Sequence, residues 1–260
     1  MTFERITSVR NPLTQRLRSL KDKKGRDETG WLLVEGEKLI HEALALELAP
    51  HCLLYEERPQ APDALLRAFS AAGVPAHPVT GNVMEAVCDT RSPQGCCAAF
   101  DLPAPLVGRP ERLVALDGVQ DPGNVGAIWR TADAAGFDGL LLGAGCADPF
   151  SPKVQRAAMG SGLRLPCRME ADLAGTLKAL GALGYAVVVS DLNGAPFYER
   201  APLPDRFALV IGSEARGVSE AVRDTAIIRL KLPMRGGAES LNAAVAAGIM
   251  MYELTRDLPG

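Results

Sequence analysis

The sequence predicts an α/β protein with two successive domains, the second built on a parallel β-sheet. Three observations support this prediction. Short apolar segments alternate with segments of helical periodicity through both halves of the chain. The apolar segments of the second half are nearly continuous, which is typical of parallel strands covered by helices on both faces. A proline-rich stretch at 101–110 separates the two halves.

The first half is predicted to form a compact α/β domain over residues 1–103. Its last strand contains the adjacent Cys96 and Cys97 and is expected to be buried. Residues 104–110 are predicted to be a linker, because prolines and a glycine disfavour helix and strand there. Five elements are predicted in this half: strands at 31–35, 51–55 and 94–100, and helices at 38–48 and 62–72.

Residues 111–260 are predicted to form the second domain. Ser151 and Pro152 are suited to the cap and the first turn of a helix. The final helix is apolar or small nearly all round, so it is expected to be buried on every side. The predicted strands are 112–116, 139–143, 185–190, 207–211 and 227–232, and the other helices are 124–135, 173–183 and 241–256.

Composition excludes several classes of protein. No apolar run approaches the roughly 20 residues that a membrane span needs, and no secretory signal follows Met1. The six cysteines form no C-x-x-C pair, and the three histidines lie at no metal-ligand spacing from them. We therefore expect a cytoplasmic protein with reduced cysteines, no bound metal and no membrane contact.

The charge is unevenly distributed. The whole chain carries a net charge of −3, yet eight basic residues and one acid lie between Arg5 and Arg26. Such a run is usually a solvated helix face, and it could equally track a phosphate backbone. The candidate RNA-binding residues are Arg10, Arg16, Arg18, Lys21, Lys23, Lys24 and Arg26.

Three glycine-bearing segments of the second domain follow apolar strands: 117–132, 209–218 and 230–244. The carboxyl ends of strands are where open parallel sheets bind ligands. Loops rich in backbone amides and small polar side chains suit a nucleotide-like ligand. The glycine spacing does not match a dinucleotide-binding fingerprint, and no P-loop is present.

These segments resemble the three motifs of the SpoU/TrmH family of SPOUT methyltransferases. The matching residues are Asn124-x-Gly126-x-x-x-Arg130, Gly212-Ser-Glu214-x-x-Gly217 and Leu232-Pro-x5-Glu239-Ser-Leu-Asn242. The order and spacing of the motifs match over roughly residues 110–257. Residues 1–103 resemble, less specifically, a ribosomal-protein-like α/β domain that binds the RNA substrate in such enzymes.

The resemblance implies a SPOUT-type parallel sheet with a C-terminal trefoil knot, and a homodimer formed through the catalytic domain. True knots are otherwise very rare. It also implies methylation of a ribose 2′-hydroxyl in RNA, with ribosomal RNA favoured over transfer RNA. The cofactor would be S-adenosylmethionine, bound around Ser190, Ile211, Gly212, Leu232 and Leu241.

The resemblance further implies catalytic roles for five polar residues. Arg130 is expected to stabilise the developing alkoxide, because a guanidinium is not deprotonated in proteins and is a poor base. Glu214 is expected to hold Arg130 or the RNA and is the strongest candidate for the proton acceptor. Asn124 and Asn242 are expected to orient hydroxyl and phosphate, and Ser240 to cap the last helix.

The sequence leaves four alternatives open. The substrate could be transfer RNA, or the methyl group could be placed on a base nitrogen. The chain could be an RNA-binding module that lost catalysis, although Arg130, Asn124, Glu214 and Asn242 are intact. An oxidoreductase of ordinary doubly wound fold is disfavoured by the missing fingerprint.

Overall fold

The computed structural model describes residues 4–57, 62–90 and 93–256. The chain divides into two compact units, Met1–Pro103 with Phe150–Pro152 and Ala104–Pro149 with Lys153–Gly260. We call them the N-terminal and the C-terminal unit. Within the described ranges, no helix is long and apolar enough to cross a membrane.

The N-terminal unit contains a mixed four-stranded sheet. Its strands are β1 (Trp31–Glu35), β2 (Pro50–Glu56), β3 (Ala76–Val79) and β4 (Cys96–Asp101), and its helices are α1 (Pro12–Ser19), α2 (Lys23–Thr29), α3 (Glu37–Ala45), α4 (Asp63–Ala71) and α5 (Gly81–Val87). The strand order is β1-β4-β2-β3, with β4 antiparallel to both neighbours and β2 parallel to β3.

The five elements predicted for this half are present, and the α/β prediction is confirmed. Helices α1, α2 and α5 and strand β3 were not predicted, because helices of seven or eight residues make only about two turns and a four-residue strand is too short to show an alternation. Helix α3 ends at Ala45 and not at Leu48, since Glu47 adopts a left-handed backbone with φ 58°.

The last strand of this unit is buried, as predicted. Cys96 to Phe100 are all buried within β4. All six cysteines are free. Burial raises the pKa of Cys52 to about 11 and that of Cys167 to about 12, so these thiols stay protonated and unreactive.

The C-terminal unit contains a six-stranded, wholly parallel sheet in the order β10-β8-β9-β5-β6-β7. The prediction of a parallel sheet is thereby confirmed. The strands are β5 (Arg112–Asp117), β6 (Gly139–Gly143), β7 (Cys167–Glu170), β8 (Ala186–Pro196), β9 (Phe207–Gly212) and β10 (Ile228–Lys231), and the helices are α6 (Pro122–Ala134), α7 (Pro152–Ala158), α8 (Ser161–Arg164), α9 (Leu173–Ala182), α10 (Glu220–Arg223) and α11 (Ala243–Leu254).

Helices cover both faces of this sheet. One face packs alternate strand residues such as Ala115, Val187 and Val210 against α9 and α10. On the other face, α6 and α11 pack together and α11 also contacts β9. Trp129 of α6 is fully buried, and its Nε1 donates a hydrogen bond to the Leu165 carbonyl at 3.0 Å. Trp129 is therefore a core residue.

Several element boundaries differ from the prediction. Helix α6 begins at Pro122 because Asp121, and not a later residue, caps it. The four-residue strand β7 was not predicted. Strand β8 continues past Ser190 to Pro196. Residues 104–110, predicted as a linker, contain no helix or strand, and Leu106 is buried in the core of the C-terminal unit.

Helix α11 is buried on one face only. Ala243, Ala247, Met250 and Met251 are buried. Part of its apolar surface has no partner in the single chain, so burial on every side stays a prediction for a dimer. Three apolar side chains remain exposed at helical spacing: Val245 (50%), Ile249 (38%) and Tyr252 (55%).

Candidate active site

Three loops leave the carboxyl ends of strands in the C-terminal unit: 118–121 after β5, 213–219 after β9 and 232–242 after β10. The ends of the neighbouring strands β5 and β9 are level, since Asp117 pairs with Gly212. We call this side of the sheet the carboxyl edge. Loops at such an edge form the ligand sites of open parallel sheets.

The start of helix α6 presents Asn124 at the carboxyl edge. Asp121 caps this helix, and its Oδ1 accepts a hydrogen bond from the Asn124 backbone N at 2.8 Å. The Asn124 side chain is consequently not needed as a cap. Its Nδ2 donates a hydrogen bond to Oε1 of Glu214 in the second loop.

The second loop holds Glu214 at the tip of a tight turn. Ser213 and Gly217 close this turn with two backbone hydrogen bonds, of 3.0 Å and 2.8 Å. Gly217 adopts φ +66°, and a Cβ atom on Gly212 would lie 2.2 Å from the Gly217 carbonyl carbon. Both positions therefore need glycine, one for its backbone conformation and one for the close approach of two chain segments.

Asn242 links the third loop to the other two. It caps helix α11, because its Oδ1 accepts hydrogen bonds from the backbone N of Ala244 and Val245 at 2.9 Å and 3.2 Å. The prediction that Ser240 caps this helix is wrong, since the helix starts at Ala243 and Ser240 lies too early in the chain. The Asn242 Nδ2 donates to Asn124 Oδ1 at 2.9 Å.

Side chains from all three predicted motifs thus form one chain of hydrogen bonds. It runs from Asn242 to Asn124 and from Asn124 to Glu214. Each asparagine donates through its amide nitrogen and accepts through its oxygen, so the chain ends on the carboxylate, which only accepts when ionised. Asn242 and Glu214 are exposed and Asn124 is half-buried, so a ligand can reach this cluster.

Arg130 is not part of this cluster within a single chain. It lies on α6 between buried Trp129 and half-buried Thr131, and its side chain is exposed. It makes no hydrogen bond or ion pair with any residue that the structure describes. The prediction that Glu214 could hold Arg130 is not borne out in the single chain, because the Glu214 carboxylate bonds to Asn124.

Ser190 was predicted at a strand end, and the structure corrects this in part. Strand β8 runs on to Pro196. Its pairing with β9 nevertheless ends at Val189, and its pairing with β10 skips from Val189 to Ala195. Residues 190–194 are therefore paired with neither β9 nor β10, and half-buried Ser190 is the first of them.

The residues predicted to hold S-adenosylmethionine have the burial and the backbone groups that a nucleoside-containing cofactor needs. Ile211 is buried beneath the edge, Gly212 and Leu232 are half-buried, and Leu241 is 38% exposed. Within the described residues, 233–241 form no hydrogen bond, so the loop has free amides and carbonyls. Apolar walls beside unpaired backbone groups suit an adenine ring and its polar edge.

Sequence reasoning missed one positioning residue. Asp117 ends strand β5, and its Oδ2 accepts a hydrogen bond from the Ser219 backbone N at 2.6 Å. This bond ties the loop that carries Glu214 to the neighbouring strand. A carboxylate placed directly after an apolar strand was the available signal. Among the described residues, no group of His, Cys, Asp or Glu could hold a metal ion.

Comparison with known proteins identifies the family. Residues 111–252 match the SpoU rRNA Methylase family. The chain is 36% identical, over 97% of its length and 99% of the relative's, to the 23S rRNA (guanosine(2553)-2′-O)-methyltransferase RlmP of Bacillus subtilis. The chain belongs to the SpoU rRNA methylase family. The resemblance stated from the sequence motifs is thereby confirmed.

Solved structures of SpoU-type enzymes share the fold. An AdoMet-bound rRNA methyltransferase from Sinorhizobium meliloti is 33% identical, with TM-score 0.87 and 99% coverage of both chains. The SpoU methyltransferase AviRb from Streptomyces viridochromogenes, in complex with AdoMet, is 28% identical, with TM-score 0.84 and coverage of 95% and 98%. The predicted S-adenosylmethionine-dependent RNA methyltransferase activity is confirmed.

The N-terminal unit of this SpoU-family enzyme matches a substrate-binding domain. Residues 11–98 match the MRM3-like substrate binding domain. Five of the seven predicted RNA-binding side chains are exposed: Arg10, Arg16, Arg18, Lys23 and Lys24. Lys23 and Lys24 pair with Asp27 and Glu28 at 2.5 Å and 3.8 Å on α2. Such exposed pairs are weak and leave lysines able to exchange partners.

Two predicted RNA-binding residues serve the fold instead. Arg26 is 2% exposed, and its guanidinium donates to the Leu20 carbonyl at 2.7 Å and to the Lys21 carbonyl at 3.0 Å. The Lys21 ammonium donates to the carbonyls of Ala86 and Cys88 at 3.0 Å and 2.7 Å. The prediction that Arg26 contacts RNA is wrong because it is buried, and Lys21 is already engaged.

We expect Arg26→Met to destabilise the N-terminal unit by about 2 kcal/mol, because two buried carbonyls lose a charged donor. Urea unfolding measures this change. Arg18→Met is the matched control, since Arg18 is exposed on α1 and surface substitutions cost at most about 0.5 kcal/mol. Equal stability of the two variants would contradict the structural role of Arg26.

Proposed function

We propose that this enzyme transfers the methyl group of S-adenosylmethionine to a ribose 2′-hydroxyl of ribosomal RNA. The observation that carries the proposal is the hydrogen-bond chain Asn242–Asn124–Glu214, which joins all three motifs at the carboxyl edge. A relative that is 36% identical over nearly its whole length is named as a 23S rRNA 2′-O-methyltransferase. That name supports ribosomal RNA over transfer RNA and ribose over base.

The protein has to align the hydroxyl and remove its proton. When bound, S-adenosylmethionine supplies an electrophilic methyl group with a good leaving group. Asn124 and Asn242 orient the hydroxyl and its phosphate, and Glu214, at the acceptor end of the chain, takes the proton. Exposed Arg130 stabilises the negative charge that develops on the ribose oxygen.

The cofactor would lie against the loops that follow β8, β9 and β10. Ile211 and Leu232 would supply apolar walls, and the backbone around Gly212 and Leu241 would read the base edge. Ser190 would contact it where β8 leaves β9. Ser240 stays a candidate for contacting the ligand, since it lies exposed in the third loop beside Leu241.

Nucleoside analysis tests the proposal. The purified enzyme is incubated with isotope-labelled S-adenosylmethionine and, in separate reactions, with ribosomal RNA and transfer RNA from cells that lack the protein, and the labelled nucleosides are identified. We expect a 2′-O-methylnucleoside at one site and a strongly reduced yield from Glu214→Gln. Label on a base, or in transfer RNA alone, would overturn the proposal. Mapping 2′-O-methyl sites in cells with and without the protein identifies the nucleotide.

The C-terminal segment is proposed to form a trefoil knot. Strand β10 lies at one edge of the sheet beside β8, whereas α11 packs on α6 and β9. The third loop must therefore pass from β10 across the end of β8 to reach α11, and this path is compatible with threading through a loop. A crystal structure traced through residues 186–254 tests the knot.

A homodimer formed through α11 is proposed as well. Val245, Ile249 and Tyr252 form an exposed apolar stripe, and an exposed apolar surface of this kind suits a partner subunit. We expect the enzyme to be a dimer by light scattering at micromolar concentration and Ile249→Glu to make it a monomer. Ile227→Glu, at a residue that is 65% exposed outside this stripe, should stay dimeric. A monomeric wild-type enzyme would contradict the proposal.

The N-terminal unit is proposed to be a ribosomal-protein-like domain that binds the RNA substrate, with the enzyme acting in the cytoplasm. We expect deletion of residues 1–103 to leave cofactor affinity intact and to weaken RNA binding at least tenfold. The salt dependence of binding should also flatten, because phosphate contacts are lost. RNA binding by the truncated enzyme as tight as that of the whole chain would show that this assignment is wrong.

A further inference from the structure

Three planar side chains form a stack in the N-terminal unit. The rings of Trp31 and His51 lie 4.1 Å apart between centroids and are nearly parallel, with an angle of 16°. The Arg16 guanidinium carbon lies 3.8 Å from the centroid of the Trp31 ring. Arg16 and His51 thus both lie against the Trp31 indole. We call this arrangement the Arg–Trp–His stack.

The stack is anchored to the sheet. Trp31 is the first residue of the edge strand β1, and it pairs with Asp101, the last residue of the neighbouring strand β4. The His51 Nε2 lies 2.7 Å from the Asp101 Oδ1, which fixes the orientation of the imidazole. The backbone N of Trp31 is also bonded to the Thr29 hydroxyl at 3.2 Å. Two of the three planar groups are therefore held in place before any ligand arrives.

Arg16 forms the exposed end of the stack, and its charge is not neutralised. It makes no hydrogen bond or ion pair with the residues that the structure describes, and the carboxylate of Asp101 is taken up by His51. The Trp31 indole N–H is likewise without a hydrogen bond in the described chain. Arg10 and Arg18 nearby in sequence are also exposed and without ion pairs there.

We propose that the Arg–Trp–His stack is a binding subsite for one unpaired nucleotide of the RNA substrate. The nucleobase extends the stack by lying on the outer face of the Arg16 guanidinium, and the free N–H donors of Arg16 bind the adjoining phosphate. Single-stranded RNA bases stack on arginine planes and aromatic rings in this way. A paired base cannot do so, since both of its faces are covered in the helix. The inference rests on the proposed function in RNA binding and adds the subsite and its preference for unpaired RNA.

Binding of full-length enzyme to a 12-nucleotide oligoadenylate and to a 12-base-pair RNA duplex tests the subsite. Arg16→Lys keeps the charge and removes the plane, and Arg18→Lys is the matched control on the same helix. We expect Arg16→Lys to weaken oligoadenylate binding about tenfold, the size typical of losing one stacked base. The control should change it less than about twofold, and the salt slope should stay the same in both variants.

Tryptophan fluorescence supplies an independent readout. The chain has two tryptophans, and Trp129 is fully buried, so a change on adding oligoadenylate should report Trp31 and vanish in Trp31→Phe. Equal effects of Arg16→Lys and Arg18→Lys, no oligoadenylate binding by the wild type, or no preference for it over the duplex would each overturn the subsite. Methylation of ribosomal RNA by the wild-type enzyme is measured in parallel: its absence would contradict the proposed function, whereas the binding comparison of Arg16→Lys with Arg18→Lys decides the subsite. Failure of the function and failure of the subsite are therefore seen separately.

Discussion

Replacement of Arg130 by lysine is expected to lower the single-turnover rate of methyl transfer at saturating RNA by roughly 10²-fold or more, the size typical of losing one transition-state donor. Lysine keeps the positive charge, yet it cannot form the planar, bidentate contact that a guanidinium makes with an oxyanion and a phosphate. Arg130→Ala should lose at least as much. The exposed guanidinium, bonded to no described residue, is free for this role.

The comparison needs a control arginine and a second measurement. Arg206 is exposed and directly precedes β9, so it lies at the amino ends of the strands, away from the carboxyl edge. Arg206→Lys should therefore react at the normal rate. The affinity of Arg130→Lys for S-adenosylmethionine should stay near normal, because the cofactor is assigned to other loops. A near-normal rate with a raised RNA dissociation constant would make Arg130 an RNA anchor and end its catalytic assignment.

Gly212→Ala is expected to lower the rate of methyl transfer strongly and to weaken cofactor binding at least tenfold. The added Cβ atom would lie 2.2 Å from the Gly217 carbonyl carbon and 2.3 Å from the Val218 nitrogen. Both are backbone atoms of a turn closed by two hydrogen bonds, so the turn itself has to move. Its displacement carries Glu214 away from Asn124. Overpacking of this kind also costs about 1–3 kcal/mol of stability.

Gly236→Ala is the matched control for this substitution. Gly236 lies in the third loop, where an added Cβ atom has no neighbour within 4 Å. We expect this variant to bind cofactor and react normally. Isothermal titration with S-adenosylmethionine and single-turnover kinetics compare the two variants, and thermal unfolding detects general loss of structure. Normal cofactor affinity in Gly212→Ala would show that the second loop does not line the cofactor site.

The sequence was sufficient for the parts of the molecule that local patterns encode. Near-continuous apolar strands such as 207–211 predicted a parallel sheet because their side chains must be buried on both faces. The motif residues Asn124, Glu214 and Asn242 were named from the resemblance to the family motifs, and each of these motifs follows a strand whose end could be located in the sequence. Short elements such as β3 were not predicted, because four residues are too few to show the alternation of apolar and polar side chains that marks a strand.

Tertiary structure decided which of these side chains meet and what each one does. Asn124 and Asn242 are 118 positions apart, and only the strand order brings them to a 2.9 Å hydrogen bond. Asn242 and not Ser240 caps α11 because the cap is set by where the backbone turns. Arg26 looked identical to its basic neighbours in the sequence, yet packing buried it, since burial depends on contacts distant along the chain. Local sequence patterns determine the type and approximate position of helices and strands. Which side chains lie close together, and which are buried, are properties of the whole fold.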